Sequence, residues 1–133
     1  MFRQITFLRF ALLVDAVASG ATGLLMAAGA EALTGLLGLP VPLMREAGLL
    51  LVPYVALVAF VGTRENISLG AVKTIVALNV LWVLGSIGLL MSSLVAPTML
   101  GYAFVIVQAV AVGVFADLQI IGLRRAILAY TSP

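Results

Sequence analysis

Arg9-Phe-Ala-Leu-Leu-Val-Asp15-Ala-Val-Ala-Ser19-Gly-Ala-Thr22-Gly-Leu-Leu-Met26 is an apolar run with one carboxylate set inside it. Its neighbours extend it from about Ile5 to Ala28. A helix rises about 1.5 Å per residue, so some 20 residues cross a hydrocarbon core of about 30 Å. The run is long enough to span a bilayer. It has an echo in Lys73-Thr-Ile-Val-Ala-Leu-Asn79-Val-Leu-Trp-Val-Leu-Gly-Ser86-Ile-Gly-Leu-Leu-Met91.

Composition agrees. Of 133 residues, 64% are hydrophobic and 9% charged, and the mean hydropathy is +1.29. A water-soluble domain carries far more charge, so lipid is the expected solvent. The chain has no Cys and no His. That excludes disulfides, thiolate and imidazole chemistry, and His-ligated metal or haem. The expectation is a non-enzyme with no cofactor and no metal. The basic residues sit at the ends of apolar runs and form no patch with interleaved aromatics, so nucleic acid is not an expected partner. Ala16-Val-Ala18 has the small residues of a signal cleavage site, but Asp15 interrupts the apolar core and the run continues to Ala28. An uncleaved transmembrane helix is the reading.

Three more spans follow, at about residues 43–62, 71–93 and 98–123. Between the first two, Leu33, Leu36 and Leu37 share one face of a segment at about 31–39, which reads as a short interfacial helix ended by Gly38, Pro40 and Pro42. Pro53 lies inside the second span and is expected to kink it, with Tyr54 placed to line any cavity the kink opens. Thr98 is the expected N-cap of the fourth span, and residues from Ala126 onward are expected to fray. The fold class is therefore all-α: an integral membrane four-transmembrane-helix bundle forming one domain over residues 1–133.

Arg3, Arg9, Arg64, Lys73, Arg124 and Arg125 fall on one side of such a bundle, and Arg45 alone on the other. The positive-inside rule then places both termini in the cytoplasm. An offset of 64 residues puts Arg9 on Lys73, Asp15 on Asn79 and Thr22 on Ser86. Two tandem helical hairpins would explain this; so would chance likeness among apolar helices.

Polar residues inside the spans are the candidate site. Counted from the basic anchors, Asp15, Asn79 and Asp117 lie at a similar depth, about 9–10 Å from the cytoplasmic helix ends. Asp15, Ser19 and Thr22 form one stripe; Asn79 and Ser86 form another beside Trp82. Gln108 and Gln119 share a face of the fourth span, with Asp117 pointing nearly the opposite way. Two readings stay open. In one, Asp15 and Asp117 carry a proton or bind a cation. In the other, Asp15 bonds to Asn79 or Gln119, Asp117 turns toward Arg124, and the layer sets helix register. Trp82 reads as packing.

Leu37-Gly-Leu-Pro40, Met44-Arg45, Asn79-Val-Leu-Trp82 with Ser86, Pro97-Thr98, Gln108-Ala and Phe115-Ala-Asp-Leu-Gln119-Ile-Ile-Gly-Leu-Arg-Arg125 together resemble a family of small bacterial four-helix integral membrane proteins. The resemblance covers nearly the whole chain. It implies the fold and a bacterial inner-membrane location, and it implies no activity. The chain is also similar in size to the small multidrug resistance transporters, with Asp15 in the place of their first-helix carboxylate. Those proteins use Glu and lack so strong a basic bias, and their aromatic motifs are absent here.

The function expected first is binding of a small hydrophobic or lipid-like ligand, or of a membrane partner, with a homo-oligomer compatible. The alternatives are a proton- or ion-linked transporter or channel subunit using the polar layer, and a structural accessory subunit of a membrane complex.

Overall fold

The computed structural model describes residues 2–131, and their side chains from residue 6 to residue 128. The side chain of Arg3 and the last two residues of the expected frayed end lie outside those limits. Five helices follow in order: α1 Phe2–Ala28, α2 Ala30–Leu37, α3 Val41–Thr63, α4 Leu69–Met91 and α5 Met99–Thr131. No strand occurs among the described residues. Four segments are long and apolar enough to cross a membrane: Thr6–Ala28, Val41–Thr63, Leu69–Met91 and Met99–Leu128.

Helix α1 is the centre of the bundle, packing on both α3 and α5. Its buried residues are Leu8, Ala11, Leu12, Asp15, Ala16, Ser19, Gly23 and Met26, spaced by three and four as one helical face requires. That face is small and polar in its middle. The large side chains Val17, Leu24 and Leu25 point outward. Small residues let backbones approach, which is how helices pack when lipid removes the hydrophobic drive between them. A Cβ at Gly48 of α3 would stand 2.7 Å from the Gly23 carbonyl oxygen and 2.7 Å from the Ala27 nitrogen. Only a hydrogen fits at that crossing.

Each helix end has a local cause. Arg9 donates to the Gly62 carbonyl at 2.7 Å, closing the end of α3. Pro40 starts α3 and Pro42 sits in its first turn, where a missing N–H costs nothing. The helix runs on through Pro53 to Thr63. Ser68 caps α4 by accepting from the Ala71 N–H at 3.2 Å. Thr98 caps α5 as expected, accepting from the Gly101 N–H at 3.1 Å. It also donates to the Leu36 carbonyl at 2.6 Å, while its own N–H reaches the Leu37 carbonyl at 3.0 Å. Gly38, with φ 69°, turns the chain out of α2 in the left-handed region. The interfacial segment is thus a helix clamped to the start of α5.

The C-terminal end differs from expectation. Helix α5 continues past Arg124–Arg125 to Thr131 instead of fraying from Ala126. Ala126 is fully buried and, with Leu123, joins Leu8, Leu12, Val61 and Ile75 in one core cluster. That packing supplies what an isolated helix end lacks.

A Cβ at Gly101 would overlap the Leu37 carbonyl, whereas one at Gly85 would meet nothing within 4 Å. Gly101→Ala should therefore lower the free energy of unfolding in mixed micelles, followed by circular dichroism, by about 1–3 kcal/mol. Gly85→Ala should leave it unchanged or raise it by up to about 1 kcal/mol.

Candidate functional site

Asp15 is fully buried on α1. Its Oδ1 accepts from the Ser19 hydroxyl, one turn along the same helix, at 2.8 Å. Its Oδ2 accepts from Gln119 Nε2 at 2.7 Å and Asn79 Nδ2 at 3.3 Å, and lies 2.6 Å from the Tyr54 hydroxyl. The same hydroxyl is 2.6 Å from Asn79 Oδ1, and Asn79 Nδ2 donates to Gln119 Oε1 at 2.9 Å. One residue each from α1, α3, α4 and α5 therefore meets at a single point: Asp15, Tyr54, Asn79 and Gln119. Asp15 and Asn79, the pair related by the 64-residue offset, touch directly.

Hydrogen counting gives this cluster two arrangements. Tyr54 has one hydroxyl hydrogen and two oxygen neighbours. With Asp15 a carboxylate, all four partners can donate to it, and Asn79 Oδ1 shares the Tyr54 hydrogen. With a hydrogen on Asp15 Oδ2, the bonds run one way round a ring: Asp15 to Tyr54, Tyr54 to Asn79, Asn79 to Gln119, Gln119 to Asp15.

Magnitudes say what the cluster contributes. A carboxylate at the centre of a membrane helix costs about 3 kcal/mol to insert. Interhelical hydrogen bonds in membranes average about 0.6 kcal/mol each. Three such bonds reach Asp15, from Tyr54, Asn79 and Gln119, and with the two that join those residues to one another they offset most of the cost and leave little net stability. Their effect is positional: they define which faces of four helices meet.

A second cluster joins α4 to α5. Trp82 Nε1 donates to Gln108 Oε1 at 2.6 Å, Gln108 Nε2 donates to Ser86 Oγ at 3.0 Å, and Ser86 Oγ donates back to the Trp82 carbonyl at 2.8 Å. Thr22 spends its hydroxyl hydrogen on the Ala18 carbonyl at 2.9 Å.

Between these clusters lies an open-sided cavity of about 950 Å³. Helices α3 and α4 hardly meet elsewhere, whereas α1 packs along α3, and α5 along both α1 and α4. The cavity fills the gap. Leu50, Leu100 and Val107 line it and are more than half exposed, which marks its open side. Its wall reaches along α5 from Phe115 to Leu100, about 22 Å at the helical rise. Leu36 and Leu37 of α2 line it as well.

Of the residues singled out in sequence, Asp15, Ser19, Asn79 and Gln119 form the first cluster, while Ser86 and Gln108 form the second. Thr22 lines the cavity between them. Asp117 joins neither. It is exposed on the outer side of the α4–α5 hairpin, in a groove of about 430 Å³ with Val80, Val83 and Gly113. The layer of Asp15, Asn79 and Asp117 is a reading of depth alone; Asp117 points away from the face of Gln108 and Gln119, as the helical spacing has it, and Gln119, half a turn further on, takes the inward place. No pairing of Asp117 with Arg124 is found among the described residues. Tyr54 and Trp82 are bonded members that residue type alone undervalued. A tyrosine hydroxyl in the middle of an apolar span, where it must find a partner, was the available signal. No group of three or more His, Cys, Asp and Glu that could hold a metal occurs among the described residues.

Fold and spans define a multi-pass membrane protein of the all-α class. The chain matches no family model, no curated protein and no solved structure.

Tyr54→Phe removes the donor between Asp15 and Asn79 and should cost about 1–2 kcal/mol of unfolding free energy in mixed micelles. Combined with Asn79→Leu the losses should be less than additive. Asp117→Asn should change stability by less than about 0.5 kcal/mol.

Proposed function

We propose that the protein is a non-enzymatic binding protein of the bacterial inner membrane, with both termini in the cytoplasm, and that it holds a lipid-like ligand in the cavity between α3 and α4. The observation that carries this reading is the cavity: about 950 Å³, walled mainly by Leu, Val, Ala and Phe, with a few polar side chains at fixed positions. Ligand sites typically enclose about 300–1,000 Å³ with just such a lining. Its open side faces where lipid would lie, so an apolar ligand could enter without crossing water.

The orientation rests on charge. Six of the seven basic residues lie on the side of the bundle that carries both termini, Arg64 and Lys73 among them near the α3–α4 link. The exception, Arg45, is 3.3 Å from Glu31 and next to Glu46 in sequence. Acidic neighbours count little in the positive-inside rule, so the bias stands at six to one.

Native mass spectra of the purified protein are expected to carry an apolar adduct, which Ala111→Phe, filling the cavity, should remove with helix content unchanged. A bare wild-type protein overturns the binding reading. Topology has a separate test, made simple because the chain has no Cys. In intact cells a membrane-impermeant maleimide should label Ser93→Cys and leave Asn66→Cys unlabelled; the reverse pattern inverts the orientation.

A further inference from the structure

We propose that the cavity selects an amphipathic molecule whose polar group is a hydrogen-bond donor, a hydroxyl or an amine on a long apolar body, and discriminates against anionic and acceptor-only head groups. The proposal rests on the binding reading above and names its ligand class.

Donor hydrogens in the wall decide the ligand class. Six polar side chains line the cavity: Ser19, Thr22, Tyr54, Asn79, Trp82 and Gln108. Each spends its hydrogens inside the protein. Ser19 donates to Asp15, and Thr22 to the Ala18 carbonyl. Tyr54 has one hydrogen for two oxygens. Asn79 donates to Asp15 and to Gln119. Trp82 donates to Gln108, whose own amide hydrogens go to Ser86 and the Val105 carbonyl. No side-chain donor in the wall is left for a ligand.

Acceptor capacity does remain. A hydroxyl oxygen has two lone pairs, and no hydrogen bond to Ser19 Oγ or Thr22 Oγ1 is present. Gln108 Oε1 accepts only from Trp82. A ligand carbonyl, ether or phosphate oxygen would enter this wall unpaired, whereas a ligand O–H or N–H finds oxygen. Charge points the same way. No Lys or Arg lines the cavity, and Asp15 stands one hydrogen bond behind Ser19, Tyr54 and Asn79. A negative head group would meet no free donor there. The length of the wall, about 22 Å, suits a long saturated chain lying along the bundle.

Trp82 is the only tryptophan and lines the cavity, so it reports occupancy. A chain-brominated hexadecanol should quench it in the full-length protein in nanodiscs. Unlabelled hexadecanol and hexadecylamine, as competitors, should then restore the emission about tenfold more effectively than hexadecyl methyl ether or palmitate, the difference of roughly one hydrogen bond. The two donor arms separate a neutral from a cationic head group. Thr22→Val, which removes a lone-pair site while leaving both clusters intact, should shrink the preference for alcohol over ether. Equal displacement by all four competitors overturns the donor rule and leaves the binding reading standing. Absence of quenching overturns both. A preference for palmitate, or an alcohol preference that survives Thr22→Val and Ser19→Ala unchanged, overturns the acceptor wall.

Discussion

A carboxyl group carried into a bilayer cannot rely on water, and every partner it finds must come from another part of the protein. Asp15 meets that constraint with Ser19 on its own helix and with Tyr54, Asn79 and Gln119 on three others. The bonds offset the insertion cost without adding much beyond it. What they secure is rotation and depth. If α3, α4 or α5 turned by a third of a revolution, one partner would leave and a buried donor or acceptor would be left open. In lipid, where apolar faces do not discriminate among themselves, a polar contact of this kind can specify one packing.

The packing it specifies is uneven. Two hairpins, α1 with α3 and α4 with α5, sit side by side through α1 and α5. An exact internal twofold would bring α3 and α4 together in the same way. They instead stand apart, bridged by the Tyr54–Asn79 bond. Helix α2 has no counterpart in the second hairpin, whose link is a short loop before Thr98. Clamped to α5 through Thr98 and Gly101, α2 places Leu36 and Leu37 in the cavity wall. The open volume is the gap left where α3 and α4 stand apart, bounded by the two polar clusters.

Much of this was legible in the chain. Four spans, the short helix after the first, the Thr98 cap and the shared helix faces of Asp15 with Ser19 and of Asn79 with Ser86 follow from length, caps and helical spacing. Asp117 shows where such counting ends. Distance from Arg124 gave its depth, but depth says nothing about which neighbour occupies each side of α5. The fate of residues after Ala126 shows a second limit, because a helix end is held by the cluster it joins.

By itself, then, the sequence determined the solvent, the number of crossings and the polar residues that had to be satisfied. These depend on composition and on distances along a single helix. Only the tertiary structure decided which of those residues meet, that Tyr54 and Trp82 belong with them, and that a cavity separates α3 from α4. In a soluble bundle the apolar stripe of each helix announces its inward face. Here both faces are apolar, large residues point outward as readily as inward, and the choice among faces falls to a few small and polar side chains. The partners of Asp15 on the other helices lie 39 to 104 residues away in the chain, beyond the reach of any local pattern.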